Sequence, residues 1–105
     1  VMLNAGRITA DKLPKIFNNW DIIWVNDKDI QPMGFYKYPY ASKWMAMNVF
    51  SINHKTVMMD VDQHTIINKL TNRGFTVIPS KLTHSRTLGG GFHCCTLDLW
   101  RENGD

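Results

Sequence analysis

Two segments of this chain repeat one order of elements: an amphipathic helix, a turn and a short apolar strand. The first extends from Asp11 to Val25 and the second from Gln63 to Pro79. Apolar residues three and four positions apart before each turn are typical of helices with one buried face. Because one such unit cannot cover its own core, the repetition favours an α/β fold built from packed ββαβ-type modules.

The N-terminal repeat predicts a helix between two strands. The apolar segment Val1-Met2-Leu3 is the first predicted strand, and Asp21 to Val25 is the second. Asp11 is the expected N-cap of the helix, because Pro14 then lies in the first turn, where its missing N–H costs nothing. The face expected to be buried carries Leu13, Ile16, Phe17 and Trp20. A loop rich in aromatic residues and proline follows at positions 26 to 41.

The second half of the chain predicts a β-β-α-β unit. Strands at 45–52 and 56–60 flank Asn53-His54-Lys55, which predicts a tight hairpin because Asn tolerates positive φ. A helix capped by Asp62 follows, and Gly74 is the expected residue just beyond its C-terminus. The positions of that helix expected to face inward are Ile66, Ile67 and Leu70.

Two more strands, at 75–79 and 96–100, are predicted on either side of a glycine-rich segment. That segment is Leu88-Gly89-Gly90-Gly91-Phe92-His93-Cys94-Cys95. Three glycines leave a backbone that can turn sharply or approach a ligand closely. A thiol at the start of a strand, directly after such a turn, suits covalent catalysis. On spacing alone, a buried structural thiol is the more frequent role of such a Cys.

The composition limits the function classes that this chain can belong to. Its 105 residues, 44% hydrophobic and 20% charged, suffice for one small packed domain. The net charge of +3 comes from scattered Lys and Arg, so nucleic acid is not expected as a partner. No apolar run approaches the ~20 residues of a membrane span, and no leader pattern opens the chain. Its abrupt apolar start favours a piece cut from a longer protein.

The two cysteines, Cys94 and Cys95, are adjacent, and neighbours in sequence very rarely form a disulfide. Free thiols indicate a reducing compartment, cytoplasmic or mitochondrial. Cys95 is expected in the core, on the opposite side of the strand from Cys94. By the same alternation His93 cannot easily serve Cys94 as a base, so a structural role is predicted. The other histidines share no ligand spacing, and neither a metal site nor a cofactor is expected.

Two motifs resemble the arginine amidinotransferases of the guanidino-group-modifying pentein superfamily. They are Ser42-Lys43-Trp44-Met45-Ala46-Met47-Asn48-Val49 and Leu88-Gly89-Gly90-Gly91-Phe92-His93-Cys94. The resemblance runs in register from about Val1 to Arg101. It implies a propeller of five β-β-α-β-like modules, of which this chain covers roughly the last two. Residues 1–41 would end one module and add a loop, and residues 42–105 would form the last module, with the nucleophile.

The resemblance also implies a ping-pong transfer of an amidino group. The Cys94 thiolate would attack the guanidinium carbon of L-arginine and release ornithine. An amine such as glycine or an aminocyclitol would then collect the group from an amidino-cysteine. A thiolate suits this step because it is both a strong nucleophile and a good leaving group. A bound guanidinium would itself favour the thiolate form.

By position in the family pattern, Arg7 is expected to bind a substrate carboxylate, a task that suits a planar guanidinium. Ser42 matches the second of two substrate-binding serines, and Ala41 replaces the first. The family's acid/base histidine and guanidinium-binding acids would lie upstream of Val1. The chain is therefore expected to be inactive as an isolated fragment, to need the N-terminal modules and to act in a homo-oligomer.

Two alternatives to amidino transfer remain at this point. One is a guanidino hydrolase of the arginine deiminase or dimethylargininase kind, in which water replaces the amine. The other is a non-catalytic module that binds a partner through the aromatic loop at 26–41.

Overall fold

The computed structural model describes residues 1–32, 41–85 and 87–102. Two small sheets form within them. β1 (Met2–Asn4) and β2 (Ile23–Val25) make a parallel pair, and β3 (Phe50–Ser51), β4 (Thr56–Asp60) and β5 (Thr76–Ser80) make the second sheet in that order. One α-helix, α1 (His64–Thr71), lies between β4 and β5 in the chain. The short 3₁₀ helices are Ala10–Lys12, Lys15–Phe17, Asp27–Asp29 and Lys43–Met47.

The predicted helix after β1 is wrong, because the connection to β2 consists of two separate 3₁₀ turns. Pro14 separates them, and both Pro14 and the preceding Leu13 have extended ψ angles, 142° and 134°. A residue before proline is disfavoured in the helical region, so Leu13 cannot continue a helix into Pro14. The expected apolar face is correspondingly not buried: Ile16 is 73% exposed and Trp20 54%.

The second sheet confirms the predicted β-β-α-β order. β3 and β4 are antiparallel, whereas β4 and β5 are parallel and joined through α1. At the end of α1, Gly74 has the expected positive φ of 85°, and Phe75 N–H donates to the Leu70 carbonyl at 3.2 Å. This bond is typical of a glycine-terminated helix. Ile66 and Leu70 are buried as predicted.

The hairpin turn at Asn53 and the N-terminus of α1 differ from the predictions. None of the described residues other than glycine has positive φ, so Asn53 does not form the hairpin through a left-handed conformation. Its side-chain oxygen instead accepts the Lys55 N–H at 2.9 Å, which is an Asx-type turn. Asp62 does not cap α1 either, since the N-cap position belongs to Gln63.

Two predicted strands are shortened or absent. Residues 45–52 contribute only β3, because the Ser42 hydroxyl accepts the Trp44 N–H at 3.2 Å and starts a 3₁₀ helix there. Residues 96–100 form no strand. An alternating pattern needs a neighbouring strand to pair with, and beside β3 the Arg101 guanidinium donates instead to the Ser51 carbonyl at 2.6 Å. Leu97, Leu99 and Trp100 are more than four-fifths exposed.

One apolar core joins the two sheets. Its buried members are Ile23, Val25, Ile30, Ala46, Val57, Met59, Ile66 and Leu70. Gln63, fully buried, links the halves: its side chain accepts the Gln31 N–H at 2.9 Å and donates to the Gln31 carbonyl at 2.8 Å. Both polar ends of the buried amide are thereby satisfied, which such burial requires. The aromatic part of the predicted 26–41 loop falls outside the described residues.

An ion pair with a buried carboxylate fixes the same junction. Asp29, 5% exposed, accepts the Asn26 N–H at 2.7 Å and a hydrogen bond from the Lys69 ammonium at 2.5 Å. Lys69 also donates to the Trp24 carbonyl at 2.8 Å. Burial alone would raise the pKa of Asp29, but these hydrogen bonds and the charge of Lys69 outweigh burial and hold the pKa below its ordinary value.

Asp29→Asn is expected to lower the free energy of unfolding by about 1–3 kcal/mol near neutral pH, because Lys69 loses its charged partner. The folded-state pKa of Asp29 is lowered, so the ionised carboxylate stabilises the fold at any pH above the ordinary Asp pKa. This stabilisation is lost as pH falls through the pKa of Asp29 in the folded protein. The difference between wild type and variant should therefore shrink in strong acid. Urea unfolding of the complete protein at several pH values measures it.

Asp27→Asn is the matched control. Asp27 lies in the same 3₁₀ helix but is largely exposed, and its ion pair with Lys43 lies at the surface. Such pairs contribute about 0–1 kcal/mol. An equal loss in both variants, or a loss for Asp29→Asn that does not change with pH, would contradict the role assigned to the buried pair.

Candidate active site

The glycine-rich segment folds as a tight turn that only glycine can complete. Gly89 has φ of 88°, a conformation that other residues rarely adopt. Gly90 N–H donates to the Ser85 carbonyl at 3.0 Å, and the Ser85 hydroxyl donates to the Gly90 carbonyl at 3.1 Å. A Cβ on Gly91 would lie 2.6 Å from Asn48 Cβ and 2.8 Å from the Asn48 carbonyl oxygen. Gly91 therefore allows the turn to lie directly against Asn48.

Asn48 holds the residues that follow this turn. Its carbonyl accepts the Phe92 N–H at 2.9 Å, and its side-chain oxygen accepts the Cys94 N–H at 3.0 Å. Asn48 itself ends the 43–47 helix with φ −81° and ψ 71°, and Val49 N–H donates across it to Met47 at 2.9 Å. These are the features of an inverse γ-turn. Phe92 is buried, so the segment is anchored just before Cys94.

Cys94 and Cys95 are both free and exposed. The prediction that Cys95 belongs to the core is wrong, because residues 92–95 form a turn, where the alternation of a strand does not apply. The Cys95 sulfur lies 2.8 Å from the Ser85 hydroxyl oxygen. His93 is exposed, and its carbonyl accepts two hydrogen bonds from Thr96. Its structural role stays a prediction, without support from strand alternation.

The other two predicted site residues lie near the 43–47 helix. Ser42, exposed, begins this helix as its N-cap. Arg7, also exposed, lies in the turn after β1, where its N–H donates to the Asn4 carbonyl at 3.0 Å. The neighbouring Gly6 faces Trp44 of the helix, whose Cζ2 would be 3.6 Å from a Cβ at Gly6. The helix thus borders the turn that carries Arg7 at one end and contacts the Cys94 segment at the other, through Asn48.

The chemistry available at this site is that of an accessible thiol. Within the described ranges, the Cys94 sulfur has no hydrogen-bond partner. Three or more His, Cys, Asp or Glu side chains never come together in this part of the chain in a way that could hold a metal ion.

None of the helices among the described residues has the length and apolar character needed to cross a membrane.

Sequence reasoning did not single out Asn48 as part of the site. The signal was present, since Met47-Asn48 follows Ser42-Lys43-Trp44 within one of the two motifs. The contact itself joins residues 46 positions apart, which no local pattern reveals.

Known proteins with similar sequences match between 59% and 97% of this chain. Inosamine-phosphate amidinotransferase 1 of Streptomyces griseus is 36% identical over 102 residues, which is 96% of this chain and 29% of that protein. The L-arginine:L-lysine amidinotransferase of Pseudomonas savastanoi pv. phaseolicola is 31% identical over 102 residues, 97% of this chain and 27% of its own length. The mitochondrial glycine amidinotransferase of Gallus gallus is 41% identical over 62 residues, 59% of this chain and 15% of that protein.

The solved structure of inosamine-phosphate amidinotransferase StrB1 from Streptomyces griseus superposes with a TM-score of 0.83 and 35% identity. It matches 99% of this chain and 29% of its own. The chain is homologous to the amidinotransferases. A second amidinotransferase, SxtG from Microseira wollei, superposes with a TM-score of 0.80 and 28% identity over 97% of this chain and 28% of its own. No protein-family model matches.

The structural matches confirm the predicted fold class, α/β modules of the amidinotransferase (pentein) type. The chain spans less than a third of the length of these amidinotransferases. Arg7, Ser42 and Cys94 keep their assigned roles as predictions.

Gly91→Ala is expected to displace the Cys94 segment, because its methyl group would overlap the Asn48 backbone. We expect a loss of about 1–3 kcal/mol in the free energy of unfolding, as for other overpacked sites. Gly90→Ala is the control, since its Cβ would meet its nearest atoms at 3.2 and 3.3 Å. Thermal unfolding of the two variants compares them, and an equal loss in both would refute the tight fit at Gly91.

Proposed function

We propose that this chain is the nucleophile-bearing part of an amidinotransferase that moves the amidino group of L-arginine to an amine. The observation that supports this most is the exposed Cys94 thiol, which follows a glycine turn and whose backbone N–H is bound by Asn48. It occurs in a chain that aligns almost completely with amidinotransferases. The exposure of Cys94 matters because a substrate could not reach a thiol enclosed in the core.

The proposed reaction consists of two half-reactions. In the first, the Cys94 thiolate forms a C–S bond to the guanidinium carbon, and the bond from that carbon to Nε of arginine breaks. The nitrogen takes up a proton as ornithine leaves. In the second, the amine attacks the same carbon, the C–S bond breaks and the thiolate is regenerated, while the amine loses a proton.

Both half-reactions need a group that gives and takes a proton, and Cys94 has no such group among its described contacts. We propose that the parts of the enzyme beyond this chain supply that group and the acids that bind the guanidinium. The coverage of less than a third of each relative supports this division. On this proposal the catalytic unit consists of these residues together with the other modules, in a homo-oligomer and a reducing compartment.

Arg7 and Ser42 are the proposed substrate contacts within this chain. Arg7 is exposed, with a guanidinium that can bind a carboxylate through two parallel hydrogen bonds. Ser42 uses an oxygen lone pair to cap the 43–47 helix, which leaves its hydroxyl proton free to donate to a substrate. Ala41 cannot contribute a second such hydroxyl. The relatives' names include inosamine phosphate, glycine and L-lysine, so the acceptor class proposed here is a small primary amine.

Cys94→Ala is expected to abolish amidino transfer in the complete protein, because it removes the sulfur that forms the proposed covalent intermediate. Cys95→Ala is the matched control, an adjacent exposed thiol, and should retain most of the activity. Chromatography of the products from arginine with and without glycine, lysine or an aminocyclitol provides the measurement. Ornithine together with a new guanidino compound is the expected result.

Two outcomes would contradict the proposal. Citrulline formed without any requirement for an amine would identify a hydrolase. Activity unchanged in Cys94→Ala would exclude a covalent role for that residue.

A further inference from the structure

The segment that carries Cys94 is joined to the segment that begins at Ser42 by hydrogen bonds to Asn48. Asn48 bonds this turn twice, once through its carbonyl to Phe92 and once through its side-chain oxygen to Cys94. The first bond involves only backbone and would persist with other residues at position 48. The second depends on the side chain and acts directly on the backbone of the proposed nucleophile.

The local backbone explains why the side chain at this position can reach Cys94. The 43–47 helix ends at Asn48 with its N–H donating to the Met45 carbonyl at 3.0 Å. The inverse γ-turn at Asn48 then redirects the chain toward β3. With the backbone fixed on both sides, Asn48 presents its carbonyl and its side-chain oxygen to the same turn. Gly91, which has no side chain, lets that turn lie close enough to donate both hydrogen bonds to Asn48.

An amide fits the site better than other short acceptors. Its oxygen accepts the Cys94 N–H without adding charge, whereas a carboxylate would place a negative charge near a group that must become a thiolate. Alanine would leave the Cys94 N–H without this acceptor.

We infer that Asn48 is a positioning residue that holds Cys94 in the orientation for attack on the guanidinium carbon. The same residue ends the short helix that begins at Ser42, so one segment carries the proposed substrate contact at its start and holds the proposed nucleophile at its end. This inference rests on the proposed function for its catalytic meaning. The hydrogen bond can be tested without it.

The test compares Asn48→Ala with Asn48→Asp in the complete protein. Single-turnover formation of amidino-Cys94 is measured at saturating arginine, at a pH above the thiol pKa of every variant, so that the added charge of Asp does not matter. Asn48→Ala should slow this step roughly 10–100-fold, because a small displacement of the Cys94 sulfur lowers the rate of attack by about that factor. KM for arginine should change less than about twofold. Asn48→Asp keeps an acceptor oxygen in place and should recover most of the rate.

Asn53→Ala is the matched control. Asn53 also accepts a backbone N–H through its side chain, from Lys55 at 2.9 Å, but in the turn between β3 and β4. It should leave the single-turnover rate unchanged. An equal decrease in Asn53→Ala and Asn48→Ala would overturn the inference, as would failure of Asn48→Asp to recover the rate.

Amide hydrogen exchange at Cys94 provides the readout that does not depend on activity. Exchange should accelerate in Asn48→Ala and stay slow in Asn53→Ala, because only the first removes the acceptor of that N–H. Unchanged exchange at Cys94 would overturn the inference even if activity falls. Absence of any amidino adduct in the wild type would instead contradict the proposed function, and exchange would still decide whether Asn48 holds the turn.

Discussion

The close approach of Gly91 to Asn48 is the constraint on which the candidate site depends. Only a residue without a side chain can lie this near to the Asn48 backbone, and only at this distance can Asn48 hold the N–H groups of both Phe92 and Cys94. The steric limit and the hydrogen bonds reinforce each other. Together they place a thiol at the surface on a backbone that is fixed from two sides.

The 43–47 helix, which ends at Asn48, is held in place by the core of the fold. Ala46 of the 43–47 helix belongs to the core that β2, β4 and α1 share, so the helix cannot shift without disturbing that core. The Gln63–Gln31 and Lys69–Asp29 contacts fix the junction between the two sheets. A short helix that has few hydrogen bonds of its own is thus held by tertiary packing. For the proposed function this packing matters, because small displacements of a nucleophile lower the reaction rate strongly.

Local sequence signals predicted the elements that a pattern of neighbouring residues marks. The spacing of Ile66 and Leu70, followed by Gly74, predicted α1 and its end, because periodicity indicates a helix and a glycine often ends one. The helix predicted across Pro14 failed because the residue before a proline resists helical angles. The strand predicted at residues 96–100 failed because pairing requires a neighbour, which alternation alone does not provide.

Local patterns predicted less of the candidate site than of the fold. Spacing alone favoured a structural role for Cys94, and the resemblance of two motifs to amidinotransferases pointed to the nucleophile. Arg7 and Ser42 likewise came from the resemblance, since an exposed arginine and serine carry no signal by themselves. The bond from Cys94 to Asn48 and the contact of Cys95 with Ser85 join separated segments, so they become visible only in three dimensions.

The central claim is that Cys94 is the residue that carries the amidino group. Mixing the complete wild-type protein with arginine in the absence of an acceptor amine, followed by acid quench and peptide mass spectrometry, tests it most directly. We expect the adduct on the Cys94 sulfur, in an amount equal to the ornithine released in the first turnover. Ornithine released without an adduct, or an adduct confined to Cys95, would contradict the account.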